Sequence, residues 1–139
     1  SVVPHVPGVK NETHGLTHHG NEPDKIAELR RIEEAQLKVF GELLAALGET
    51  RETGGSLLDR TQVLYGSCLG NANSHSNQNL PIILAGGGFR HGKHVVAGGK
   101  GNDNGRFANL FVQIAHRMNV GLEKFGSSNG RSIKGFELA

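Results

Sequence analysis

The chain has 139 residues, 36% of them hydrophobic, which is enough for one domain core and too few for two of ordinary size. Fifteen basic and thirteen acidic residues are interspersed to a net charge of +2, with one tyrosine and no tryptophan, so there is neither a basic stripe nor a set of stacking platforms for nucleic acid. No window approaches the roughly 18 uncharged apolar residues of a membrane span, the first ten residues lack the order of a signal peptide, and the chain as given reads as soluble.

Residues 1–22 mix prolines and glycines with His5, His14, His18 and His19, and no helix or strand period survives there, so a histidine-rich loop is expected. From Pro23 the pattern changes. Ile26, Leu29, Ile32, Phe40, Leu43 and Leu47 recur at three- and four-residue steps between charged residues, which predicts a helix over 23–47. Pro23 suits its first position and Gly48 a left-handed stop. The apolar stripe is expected to lie on the sheet that contains residues 80–85.

Thr61–Tyr65 reads as a short strand of β-forming residues. The polar loop 67–79 follows, SCLGNANSHSNQN, long enough between two core elements to suggest a function. Leu80–Ala85 is a continuous apolar run ending in three glycines, as in a strand buried on both faces of a helix-covered, mostly parallel sheet. With only a loop between them, these two strands need not be neighbours. Phe89–Val96 reads as a weak hairpin or charged edge, 98–105 as a turn, and Phe107, Leu110, Phe111, Ile114 and Met118 as the stripe of a second helix over about 105–118. The remainder, 121–139, is expected to be irregular and pinned by Leu122, Phe125, Ile133 and Phe136. The fold class that follows is α/β, one domain or domain fragment over 1–139.

The eight histidines are the unusual feature of the composition, and HGLTHHG concentrates them. His14 and His18 stand four apart, a spacing that lets one helical turn or a constrained loop aim two imidazoles at one divalent ion such as zinc. Gly15 and Gly20 favour the loop. His75, in the polar loop after the first strand, is the candidate third ligand, and His19 a hydrogen-bonding group behind the ligands. The competing reading is that these imidazoles only make hydrogen bonds in a polar loop layer. His91 and His94 belong to the basic edge, His116 suits a helix C-terminus, and neither group is assigned chemistry. Cys68 is the single cysteine, which excludes an intrachain disulfide, and no spacing rule pairs it with His75 as nucleophile and base. The glycines at 86–88 lack the lysine and hydroxyl of a phosphate loop, and the segment around Asp103 lacks the carboxylates of a calcium loop.

Taken in order, HGLTHHG, NEPDKIAELRRI, TQVLYGSCLGNANSHSNQNLPIILAGGG, FANLFVQIAHRMNV and FGSSNGR resemble the C-terminal part of the HXXSHH family of uncharacterised bacterial proteins. The likeness covers about residues 12–136, with Thr17 in place of the motif serine. It implies the C-terminal portion of an alkaline-phosphatase-like fold, export to the periplasm or beyond, and a fragment or processed piece whose partner is the missing N-terminal portion, another subunit or a second copy. It also implies His14, His18 and His75 at metal-ligand positions of a phosphatase- or sulfatase-like, metal-assisted hydrolase of some ester. The sequence departs from that superfamily after TQVLY, where Gly66, Ser67 and Cys68 stand in place of an Asp-His pair. The alternative is therefore a non-catalytic binding or structural protein within a larger assembly.

Overall fold

The computed structural model describes residues 3–98 and 105–138. The chain divides into two compact units, one made of residues 1–50 and 64–83, the other of 51–63 and 84–139.

The first unit opens with a one-turn helix, α1 (Thr13–Thr17), where a loop was expected. Gly15 is tolerated because Glu12 caps the turn: its carboxylate accepts from the backbone N–H groups of His14 at 3.0 Å and Gly15 at 2.9 Å. Leu16 is completely buried, and α1 packs on α2 (Pro23–Glu49). Pro23 starts α2 as the sequence predicts, but the helix runs through Gly48 and stops at Thr50, whose backbone N–H and hydroxyl both donate to the Ala46 carbonyl at 3.0 and 2.8 Å.

The stripe of α2 is mostly not buried. Ile32 is 4% exposed, whereas Ile26 is 42%, Leu43 47% and Val39 65% exposed. What α2 does touch is Tyr65, whose ring stacks on Phe40 with centroids 4.9 Å apart. The expectation that the whole stripe lies on a sheet is thus corrected, because a two-stranded ribbon is too narrow to cover a helix of seven turns.

The second unit contains the hairpin of β1 (Arg51–Glu52) and β2 (Gly55–Ser56), followed by α3 (Leu57–Arg60). Ser56 and Asp59 cap α3 reciprocally. Strands β3 (Gln62–Gly66) and β4 (Ile82–Gly86) pair with each other, and each contributes residues to both units. Gly66 lies against Pro81 and Ile82, and Gly86 against Thr61, so the strands run antiparallel.

The described residues therefore hold four helices and two antiparallel two-stranded sheets, and the expected α/β architecture, a mostly parallel sheet flanked by helices as in alkaline phosphatase, is not formed. A parallel return needs a crossover of a dozen or more residues, usually a helix; loop 67–79 instead turns on itself and brings the chain straight back. The apolar run 80–85 is accordingly not buried on both faces, since Ile83 is 42% exposed beside buried Leu84.

The core of this unit is Leu84, Phe89, Leu110, Val112 and Ile133. Phe89 makes a single antiparallel bridge to Leu138, and the expected edge over 89–96 is otherwise irregular. The expected second helix is α4 (Ala108–Arg117), shorter than the periodicity suggests; most of the turn expected at 98–105 lies outside the described residues. From α4, buried Asn109 accepts from the backbone N–H groups of Asn129 at 3.0 Å and Gly130 at 3.1 Å, and Gln113 accepts from Ile133 N–H at 3.2 Å. The irregular tail is thus held by polar side chains one helical turn apart as well as by buried Ile133. Leu122 and Phe136 are half-buried, and Phe125, 48% exposed, touches Phe111.

Ile32→Ala is expected to cost about 2–5 kcal/mol in denaturant unfolding, and Leu43→Ala, half in water already, about 1 kcal/mol or less. Asn109→Ala strands two backbone donors and is expected to cost about 1–3 kcal/mol, read as a lowered midpoint at unchanged slope.

Candidate metal centre

His14 sits in α1 and His18 is its C-terminal cap residue, so the four-residue spacing is realised on one helical turn. Their rings meet edge to face with centroids 4.9 Å apart. The Thr17 hydroxyl donates to the His14 carbonyl at 2.7 Å and braces the turn.

His75 arrives from loop 67–79, whose own hydrogen bonds hold it in shape. The Gly70 and Asn71 N–H groups donate to the Ser76 carbonyl, Ser76 N–H returns to Asn71, and the Asn71 side chain accepts from Ser74 N–H at 3.2 Å. The Asn73 side-chain oxygen accepts from Gly20 N–H at 2.9 Å, fastening the loop to the end of the histidine segment. His75 itself has φ +53°, a left-handed conformation that costs a residue other than glycine about 1–3 kcal/mol and collects at functional sites.

The result is a contact between residues 57 apart: His75 Nε2 lies 3.2 Å from His18 Nε2, with the ring centroids 4.7 Å apart. His14, His18 and His75 thus form one row of imidazoles, all exposed, with His18 in the middle. His19 is turned differently. Its Nδ1 accepts from Asn21 N–H at 3.0 Å, so in the neutral ring the proton is on Nε2 and that nitrogen has no lone pair to offer a metal.

Two imidazole nitrogens bound to one tetrahedral ion at about 2.0–2.1 Å lie about 3.3 Å apart, so the His18 and His75 nitrogens stand at ligand spacing. Among the described residues no three His, Cys, Asp or Glu side chains come together as a group that could hold a metal ion; His18 and His75 approach as a pair, and His14 meets His18 through a ring contact. Glu12, the nearest carboxylate in sequence, is engaged in capping α1. The side chains that could face an ion here are imidazoles alone, a donor type that suits zinc, copper or nickel and not magnesium or calcium.

The other histidines and the cysteine are elsewhere. His91 Nε2 is 3.0 Å from the Gly86 carbonyl and His116 Nε2 is 2.7 Å from the Leu122 carbonyl, each a local hydrogen bond, and His94 is exposed. Cys68 is exposed as well. The triple glycine 86–88 has φ near +70° throughout and is packed by Leu58, Gln62 and Arg117, which is close backbone packing and no phosphate cradle. Sequence reasoning missed the anchors of the site, Glu12, Asn71 and Asn73, although Glu12 two residues before His14 is a legible capping signal.

No protein-family model, no curated protein and no solved structure matches this chain. No helix among the described residues is long and apolar enough to cross a membrane.

The segment before α1 is tied to α2 by the Glu28 carboxylate and by Arg31, whose guanidinium donates to the Gly8 carbonyl at 2.8 Å. Glu28 of α2 accepts from the backbone N–H groups of Lys10 at 2.8 Å and Asn11 at 3.1 Å. These bonds, Lys10 foremost, hold its carboxyl below the usual range. The lowered value means that the anchor contributes fully above the ordinary carboxylate pKa and is lost as pH falls through the lowered one. Amide exchange at residues 10 and 11 is expected to lose protection as pH falls below the ordinary carboxylate range, and Glu28→Gln to weaken that protection at neutral pH.

Proposed function

We propose that the chain carries the histidine metal centre of a metal-assisted hydrolase acting on an ester, as its likeness to the HXXSHH family implies, with His14, His18 and His75 as ligands to a divalent ion such as zinc. The observation that carries the reading is the 3.2 Å approach of His18 Nε2 and His75 Nε2 from segments 57 residues apart, with His14 one ring away. When bound, such an ion polarises an ester oxygen or lowers the pKa of a water. The chain's own residues do the positioning. Glu12 and Leu16 hold the turn that bears His14 and His18, Asn73 ties down the loop that bears His75, and His19 keeps an N–H available beside the ligands as a donor. The same likeness supports export and assembly with a further portion of the protein or a second copy.

A second reading, a non-catalytic metal-binding or structural protein, is favoured by the end of β3. There Gly66, Ser67 and Cys68 supply no Asp-His pair for a second ion.

The test is titration of tag-free protein with Zn²⁺, and with Co²⁺ as a spectroscopic stand-in. One ion per chain is expected, with a cobalt spectrum of four-coordinate type. His14→Ala, His18→Ala and His75→Asn should each weaken it at least about tenfold, His19→Ala less, and acid should compete with the metal for the same lone pairs. Asparagine is chosen at 75 because it tolerates the left-handed backbone. Unchanged affinity in the three variants would leave these residues as hydrogen-bonding loop histidines. Turnover of aryl ester, phosphate or sulfate by the loaded protein separates the enzyme from the binding protein.

A further inference from the structure

The tail of the second unit carries an Asn–Gly pair, Asn129–Gly130, with both residues exposed to water. Glycine after asparagine is the pairing in which the backbone most readily attacks its own side chain, because no Cβ on the following residue screens its amide nitrogen from the asparagine Cγ. Here both reacting groups are held by one side chain. Asn109 of α4, 3% exposed, accepts from the Asn129 N–H at 3.0 Å and the Gly130 N–H at 3.1 Å through Oδ1, and donates from Nδ2 to the Asn129 side-chain oxygen at 3.1 Å. The same contact favours glycine at 130, since a Cβ there would come to 3.2 Å from Asn109 Nδ2.

Cyclisation needs the Gly130 nitrogen to give up its proton and reach Asn129 Cγ. The bond to the neutral Asn109 oxygen favours the protonated nitrogen, and the pair of bonds to residues 129 and 130 fixes the backbone between them. The third bond works the other way, since a donor on the Asn129 oxygen draws electrons from Cγ and stabilises the oxyanion of attack. It acts only once the nitrogen has reached Cγ, so the two bonds that restrain the nucleophile decide the rate. The reaction therefore runs through the open state, in which this part of the tail has left Asn109, and its rate follows the population of that state.

We propose that Asn129–Gly130 is a self-modification site, a deamidation that Asn109 holds off for as long as the tail is docked on α4. On release the Gly130 nitrogen bonds to Asn129 Cγ, its proton passes through solvent to the departing amide, and the Cγ–Nδ2 bond breaks to release ammonia, leaving a cyclic imide. Water then breaks one of the two imide C–N bonds and gives an aspartyl or an isoaspartyl residue at 129. The two products differ in what they do to the fold. The aspartyl form keeps the backbone register and an oxygen for Asn109 Nδ2. The isoaspartyl link adds a methylene to the main chain, so the two N–H groups no longer both reach Asn109 Oδ1, and the tail stays undocked there.

The experiment incubates the full chain at mildly alkaline pH and follows the peptide bearing Asn129 by mass mapping, which separates it from Asn104–Gly105, the second Asn–Gly pair of the sequence. The readouts are the exchange of NH2 for OH in the peptide mass and the ratio of isoaspartyl to aspartyl product. The folded protein is expected to react at least about tenfold more slowly than the same protein in denaturant, and Asn109→Ala to lose most of that protection. Asn109→Asp still accepts from both backbone N–H groups, cannot donate to the Asn129 oxygen, and is expected to stay slow. A further measurement needs no variant: in low denaturant, exchange of the Gly130 N–H and deamidation at 129 should rise together, because both require the same opening. Equal rates in folded and denatured protein overturn the proposal, as does an Asn109→Ala variant that is folded and no faster than the parent. A fast Asn109→Asp variant that is folded places the restraint in the side-chain bond and overturns the backbone clamp. If either variant fails to fold, the parent decides: deamidation that does not follow Gly130 exchange overturns the proposal, and deamidation that follows it supports it.

Discussion

A single turn of helix does not stand by itself in water, and the histidine row exists only because Leu16 is driven out of water beneath it. Nucleating one turn fixes several dihedrals for very little hydrogen bonding. In α1 that cost is met from outside the turn, by complete burial of Leu16 and by the Glu12 carboxylate on two N–H groups that would otherwise lack partners. With Leu16 facing inward, His14 and His18 are carried to the outside together, because residues four apart share a face.

The third imidazole obeys a different constraint. Loop 67–79 has no large apolar residue to bury except Leu69, and it gains its shape from a ladder of asparagine and serine hydrogen bonds around Asn71 and Ser76. That ladder places His75 in a left-handed conformation, and the Asn73 bond to Gly20 N–H sets the loop against the segment that leaves α1. Two local structures with unrelated causes thus present nitrogens 3.2 Å apart. Such an approach of exposed polar rings has little to gain from hydrophobic burial; it is a hydrogen bond between the two imidazoles, in which one ring N–H donates to the other ring's lone pair.

The long helix α2 joins the two features. Ile32 is buried, Glu28 ties residues 10 and 11 to its surface, and Phe40 stacks on Tyr65 of β3. Beyond these contacts Ala35, Val39 and Leu43 line an open groove of the first unit that has no charged side chain in its walls. In the second unit the same economy appears in polar form, with Asn109 and Gln113 reaching from α4 to hold a tail that has too few apolar residues to pack on its own.

The amino-acid order by itself determined the places of α2, α4, β3 and β4, since hydrophobic periodicity and β-branched runs are local properties that the chain carries wherever it lies. It also marked His14, His18 and His75, because histidine at a four-residue spacing and in a long polar loop is visible without coordinates. Only the tertiary structure decided that β3 and β4 pair antiparallel, because the direction of return depends on how loop 67–79 folds back and not on the strands themselves. It alone decided that the α2 stripe is half open, since an apolar stripe records what could be buried and says nothing of how wide a surface is there to bury it. And it alone decided that the THGLT segment is a turn of helix, where burial of Leu16 and the Glu12 cap outweigh the helix-weakening Gly15.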